Sequence, residues 1–251
     1  MMEITGMQNR RTKVVFKQLR DANLNYNLIE NHDRVAVGIS GGKDSLVMLY
    51  LLQLLKKYTP LDFSLHPIFL DMGWNSDTAA IQDYCQNLGT QLHIERSNIN
   101  QVVFDYRQEK NPCALCSHLR RGALNRTAKS LGCNKLALGH HADDVVNTLF
   151  ISLLFEGHYN VFKPSTYLDR IDLTVIRPMI YISERNIILL GQSIKIPVME
   201  KSCPADGNTK RAEVASLLEE IETKFPGARR KILGSIENVN RECFWTPSPK
   251  S

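Results

Sequence analysis

The chain has no apolar run long enough to cross a bilayer. Its longest, Leu46–Leu55, already contains Gln53. The opening stretch Met1–Lys13 carries Arg10, Arg11 and Lys13 and no apolar signal core, so the expected location is the cytoplasm, with no membrane contact. Internal repeats, low-complexity tracts and linker-like segments are also missing, which excludes a solenoid or domains on a flexible tether. Extremes of composition are absent: 43% hydrophobic and 23% charged residues are ordinary for a globular protein. A chain of 251 residues can bury a full core, as one α/β domain or one domain with a small appendage. A net charge of +5 is only a mild bias towards a polyanionic partner. In a reducing compartment the six cysteines read as metal ligands, reactive thiols or core residues, not disulfides.

What the chain does contain centres on Val35–Ser45, Val-Ala-Val-Gly-Ile-Ser-Gly-Gly-Lys-Asp-Ser. Val35–Ile39 reads as a buried strand, Gly41-Gly42 as a tight turn, and Ser45 onward as a helix carrying Leu46, Val47, Leu49, Leu52 and Leu55. A strand, a glycine turn and a helix expose backbone N–H groups at the positive end of a helix dipole, a nest for phosphate. Lys43 adds a point charge, and Ser40 and Ser45 add hydroxyls. This is not a Walker A loop, which needs glycine where Val37 stands and Ser or Thr where Asp44 stands. The string Ser40–Ser45 instead resembles the signature of the PP-loop ATP pyrophosphatases, which adenylate a substrate and release pyrophosphate.

Alternating elements extend on either side. A helix is expected over 12–30, strands over Leu65–Leu70, Gln91–Ile94 and Leu136–Leu138, and helices over Asp77–Leu88 and from Gly139 to about Phe155. That order argues for an α/β fold with a doubly wound parallel sheet. Asp71, at the C-terminal end of a strand beside the first, is a candidate nucleotide contact. Beyond Gly157 the expectation is a hairpin over Tyr167–Ile176, a helix near Ser183–Ser193, an edge strand at Ile196–Met199, and helices over Lys210–Lys224, burying Leu217, Leu218 and Ile221, and near Ala228–Asn238. The expected division is a helical segment 1–32, an ATP-binding domain 33–160, a mainly helical extension 161–245 packed on it, and a disordered tail 246–251.

Cys113-Ala-Leu-Cys116 places two thiols close enough to share a metal. Half a zinc site, a redox pair and two incidental cysteines are the plain readings, but no second Cys-x-x-Cys or His-x-His supports structural zinc. Cys85 and Cys133 read as core residues, and Cys243 is indeterminate. Cys203 lies in a loop from which it can reach a distant site. Three thiolates around an iron–sulfur cluster leave one iron without a protein ligand, free to hold an exogenous sulfide.

Taken together, Ser40–Ser45, Cys113-x-x-Cys116-Ser-His-Leu-Arg-Arg-Gly122, Gly139-His-His-Ala-Asp-Asp144, Arg177-Pro178 and the late Cys203 resemble the tRNA 2-thiocytidine synthetase family, from about residue 15 to about residue 240. The 2-thiouridine synthetases are similar more loosely. The resemblance implies a PP-loop fold of the adenine nucleotide alpha-hydrolase-like type and a [4Fe-4S] cluster on Cys113, Cys116 and Cys203. It also implies ATP held by Ser40, Gly41, Gly42, Lys43, Asp44 and Ser45, with Gly139 and His140 nearby. Mg2+ would sit on Asp44 with Asp143 or Asp144, and Lys43, Asp44, Arg120 and Asp144 would act in catalysis. The implied reaction adenylates the C2 oxygen of a tRNA pyrimidine, a cytidine by this resemblance, and replaces it with sulfur. Partners would be tRNA, a sulfur donor (a cysteine desulfurase or free sulfide) and a second copy of the chain. Where better-known members carry a second Cys-x-x-Cys, this chain has Cys203-Pro-Ala-Asp.

The basic run Lys110, Arg120, Arg121, Arg126, Lys129 and Lys135 reads as a solvated helix face or as contacts to an RNA backbone beside the cysteines. Alternatives that remain open are the same chemistry on a uridine or a small metabolite, an ATP-binding protein with structural zinc, and an ATP-dependent amide-forming enzyme.

Overall fold

A computed structural model describes residues 9–74, 76–107, 112–199 and 210–243. Six strands form one sheet in the order β3-β2-β1-β4-β6-β5. They are β1 (Arg34–Ile39), β2 (Ser64–Asp71), β3 (His93–Arg96), β4 (Lys135–Ala137), β5 (Ser165–Leu168) and β6 (Leu173–Ile176). All neighbouring pairs are parallel except β5 with β6. The helices are α1 (Arg10–Tyr26), α2 (Lys43–Tyr58), α3 (Ala79–Asn87), α4 (Pro112–Ser130), α5 (Ala142–Ile151), α6 (Glu184–Ser193), α7 (Lys210–Lys224) and α8 (Ala228–Glu237). The expected doubly wound α/β class is therefore the observed one.

Val35, Ala36, Val37 and Ile39 alternate between the two faces of a strand, yet all are buried. That is why β1 reads as one apolar run: helices cover both of its faces. α2 is buried almost all round. Met48, Leu49, Leu51, Leu52 and Leu54 have no exposed surface, each burial contributing about 1.5–3 kcal/mol. α1 and α6 pack against α2, while α4 packs against β2 and β4. The chain runs from β1 outward through β2 to β3 and then returns to place β4 on the other side of β1. The crevice beyond the C-terminal ends of β1 and β4 is thus the switch point where such sheets bind ligands.

Several expectations shift. α1 ends at Tyr26, not residue 30, because Asn27 takes a left-handed conformation (φ 47) and the Asn23 side chain ties down the backbone of Ile29. Ile196–Met199 is not a strand; Met199 N donates to Gly41 O at 3.0 Å. The expected hairpin is real, but its second strand pairs with β4, so it completes the main sheet. Residues 9–142 and 163–199 cluster as one compact unit, and 143–162 with 210–243 as another. In the second unit Val214 and Leu218 pack on Val146 with Ile221 beside them; Leu217 instead lies 36% exposed. The expected tail 246–251 lies outside the described residues.

Cys85 and Cys133 are core residues, as expected, and burial pushes the Cys85 thiol up to about 11. His66 on β2 meets Ser64 Oγ at 3.0 Å, and burial, then the fields of Arg34 and Lys56, hold its pKa below the ordinary value. A depressed histidine stabilises the fold above the unfolded pKa, near 6.5, and that contribution fades as pH falls. Urea midpoints should therefore drop between about pH 7 and about pH 5, and drop less in His66→Gln.

Candidate active site

Three elements of the sheet unit build the site. The first is the turn between β1 and α2. Gly41 has φ +79, and a β-carbon there would lie 2.9 Å from the Met199 sulfur, so glycine is required by both conformation and space. Gly42 caps α2 with no side-chain hydrogen bond, which leaves the first-turn amides of the helix directed at the crevice. The turn is held from within. Ser45 Oγ donates to Gly42 O (3.0 Å) and accepts from Ser40 N (3.1 Å), and the two serine hydroxyls lie 3.2 Å apart. Ser45 is buried, so its hydroxyl shapes the loop from the inside.

Lys43 opens α2 and points across to α6, where its ammonium sits 2.8 Å from Glu184 Oε1 and 3.3 Å from Asp44 Oδ1. Burial alone would lower the Lys43 pKa. The hydrogen bond to Glu184 and the charge of Asp44 outweigh it, and Lys43 stays above its ordinary value, a cation throughout the neutral range. Asp44 Oδ1 is buried with the Lys43 ammonium 3.3 Å away, and a carboxylate in this turn is the kind of hard oxygen ligand that a magnesium ion takes. Together, open amides, a permanent cation and hydroxyls suit a di- or triphosphate.

The second element follows β4. A β-carbon on Gly139 would stand 3.3 Å from both the Asp44 carbonyl carbon and the Ser45 nitrogen, so this glycine lets the chain pass against the first turn of α2. His141 bridges to Met179, and Ala142 N donates to Ile182 O at 3.0 Å, fixing the segment that carries His140. Asp71 is 9% exposed, and its Oδ1 accepts from Gly73 N (3.0 Å) and Trp74 N (3.2 Å); its carboxylate shapes the turn after β2.

The third element is α4. Cys113 and Cys116 are three residues apart, on one face of its first turns. Cys113 is exposed, whereas Cys116 is half-buried against Leu70, Ile99, Val103 and Ala123. Two thiols with an apolar wall suit a soft iron–sulfur centre. Cys203 lies outside the described residues. Arg120 and Arg121 are exposed on the same helix. Among the described residues no three His, Cys, Asp or Glu side chains group as a metal site, and no helix is long and apolar enough to cross a membrane.

Asp143 and Asp144 belong to the second unit. Asp143 Oδ1 meets Arg229 Nη1 at 2.8 Å, and Arg229 also holds Glu219 at 3.0 Å; Asp144 lies 3.6 Å from Arg211. Glu222 accepts from Arg229 N and Gly227 N, which caps α8 and lowers its pKa. Because Asp143 and Arg229 are both mostly buried, Arg229→Ala should cost about 1–3 kcal/mol of the second unit's stability, read as a lower urea midpoint. Arg177, largely buried, donates to Lys163 O at 2.7 Å, and burial lowers its pKa.

Sequence reasoning missed the roles of Glu184 and Met199. Ser183 before Glu184 signals a helix start, and Ser183 Oγ does accept from Asn186 N, but nothing local pairs Glu184 with a lysine 141 positions away.

Comparison with known proteins adds four findings. The PP-loop domain family ATP_bind_3 matches residues 8–220. The tRNA-cytidine(32) 2-sulfurtransferase of Pelobacter propionicus is 36% identical over 241 residues, 93% of this chain and 90% of that protein. The protein of the same name from Bordetella avium is 37% identical over 236 residues, 92% of this chain and 74% of its own length. Among solved structures, the U34-tRNA thiolase NcsA from Methanococcus maripaludis, with its [4Fe-4S] cluster, aligns at a TM-score of 0.74 and 27% identity, covering 91% of this chain and 78% of that one.

Proposed function

This chain belongs to the PP-loop family, and within it to the tRNA 2-thiocytidine synthetases; from that premise we propose that it is an ATP-dependent tRNA sulfurtransferase acting at C2 of a cytidine. The observation that carries the reading is one sheet unit holding both parts of such a site, an uncapped phosphate turn at the switch point and a helix presenting two thiols beside an apolar wall.

A C2 oxygen is a poor leaving group, so it first attacks the α-phosphorus of ATP and pyrophosphate departs. The α2 amides, Gly41, Gly42 and Lys43 hold the phosphates and meet the charge that develops on the departing pyrophosphate. Asp44 would bring the magnesium ion, which neutralises the phosphates. His140, just after β4, would lie along the nucleotide. A [4Fe-4S] cluster held by Cys113, Cys116 and Cys203 would supply, when bound, an iron without a protein ligand where sulfide can be carried. The apolar wall of Leu70, Val103 and Ala123 keeps water from the Cys116 thiolate. Arg120 and Arg121 contact the RNA phosphates that bring the base to this helix. Replacement of the activated oxygen by sulfur releases AMP. We assign the enzyme to the cytoplasm as a homodimer, reloaded by a cysteine desulfurase or by free sulfide.

Anaerobic protein incubated with ATP, magnesium, sulfide and unmodified tRNA tests this. The digested RNA should contain 2-thiocytidine, with one AMP per thionucleoside. Thiouridine would move the same chemistry to another base, and an RNA without sulfur would refute the proposal.

A further inference from the structure

The Lys43–Glu184 pair joins the first turns of two helices that open on the same crevice. Lys43 begins α2 and Glu184 begins α6, and these helices pack directly against each other: a β-carbon on Gly191 of α6 would touch Val47 of α2 at 3.5 Å. Neither end of the pair is deeply buried, the side chains being 32% and 45% exposed, so it can exchange with solvent and with an incoming anion. The Lys43 ammonium has two carboxylates within reach, Glu184 Oε1 at 2.8 Å and Asp44 Oδ1 at 3.3 Å. The shorter contact is made by the residue outside the phosphate turn.

We propose that Glu184 is the resident counterion of the phosphate turn, which a di- or triphosphate must displace from Lys43, and that it thereby sets the affinity of the site for ATP and for pyrophosphate. This rests on the reading of Ser40–Ser45 as the nucleotide site. A cation can make its short charge-assisted hydrogen bond to Glu184 or to a phosphate oxygen, and a carboxylate left beside a triphosphate repels it. Both effects weaken binding of the ground-state nucleotide and hasten loss of the product pyrophosphate. The pair also keeps Lys43 extended into the crevice in the absence of ligand. Glu184 is thus a positioning residue acting through Lys43, and its influence falls on ligands with linked phosphates and spares the adenosine moiety.

The test is calorimetric binding of ATP, inorganic pyrophosphate and adenosine to the full chain with magnesium, for wild type, Glu184→Gln and Glu184→Asp. Glu184→Gln should tighten ATP and pyrophosphate by about fivefold to twentyfold. Adenosine affinity should stay within about twofold, and Glu184→Asp, which restores the charge, should lie between the other two. Circular dichroism checks that each variant folds. Weaker or unchanged pyrophosphate binding by folded Glu184→Gln would overturn the counterion role while leaving the nucleotide site standing. A folded wild type that binds neither ATP nor pyrophosphate would overturn both.

Discussion

Lys43→Ala is expected to lower kcat/KM for ATP in tRNA thiolation by about a hundredfold to a thousandfold, the range for losing one preorganised donor to developing charge. Lys43 contributes a charge held above its ordinary pKa at the start of α2, just where the pyrophosphate gains negative charge as its bond to the α-phosphorus breaks. The α2 amides remain in the variant, which is why activity falls steeply without vanishing. Lys43→Arg should recover little, since a guanidinium cannot take the place of a compact ammonium between Glu184 and Asp44. Steady-state kinetics with saturating tRNA measures the effect. A loss below about tenfold would place the lysine outside the reacting phosphates.

Cys116→Ser should remove thiolation altogether and leave nucleotide binding nearly intact. The half-buried Cys116 sits on α4 against Leu70, Ile99, Val103 and Ala123, away from the glycine turn in sequence, and a serine there preserves the helix while withdrawing a soft ligand. Iron and acid-labile sulfide should fall to background in the variant, and 2-thiocytidine should be undetectable. ATP affinity should stay within about twofold. Retention of full thiolation would mean that the cysteine pair does not carry sulfur.

These two outcomes depend on features of unequal legibility in the sequence. The phosphate turn could be read because its parts are local: β1 is a short β-branched run buried on both faces, and Gly41 needs its positive φ. Gly139 was placed near the nucleotide by resemblance, and a β-carbon there would stand 3.3 Å from the backbone at the start of α2. Asp71 read as a ligand contact from its position after β2, and its Oδ1 also accepts from two amides of the turn that follows. Long-range pairings were not legible. Nothing in Leu173–Ile176 distinguishes an outlying hairpin from a strand that completes the sheet beside β4, since four residues suit either. Asp143 read as a magnesium ligand, and its partner Arg229 lies 86 positions on in another helix of the same unit. Glu184 escaped notice for the same reason, because its chemistry exists only where α6 meets α2.

The most direct measurement follows the oxygen. A single turnover would use tRNA carrying heavy oxygen at C2 of the target cytidine, with mass spectrometry of the AMP released. If the C2 oxygen is activated by ATP on the Ser40–Ser45 turn and then replaced by sulfur, the AMP phosphate carries the label and the cytidine becomes 2-thiocytidine. Unlabelled AMP, with the label in water or still in the base, would contradict the account.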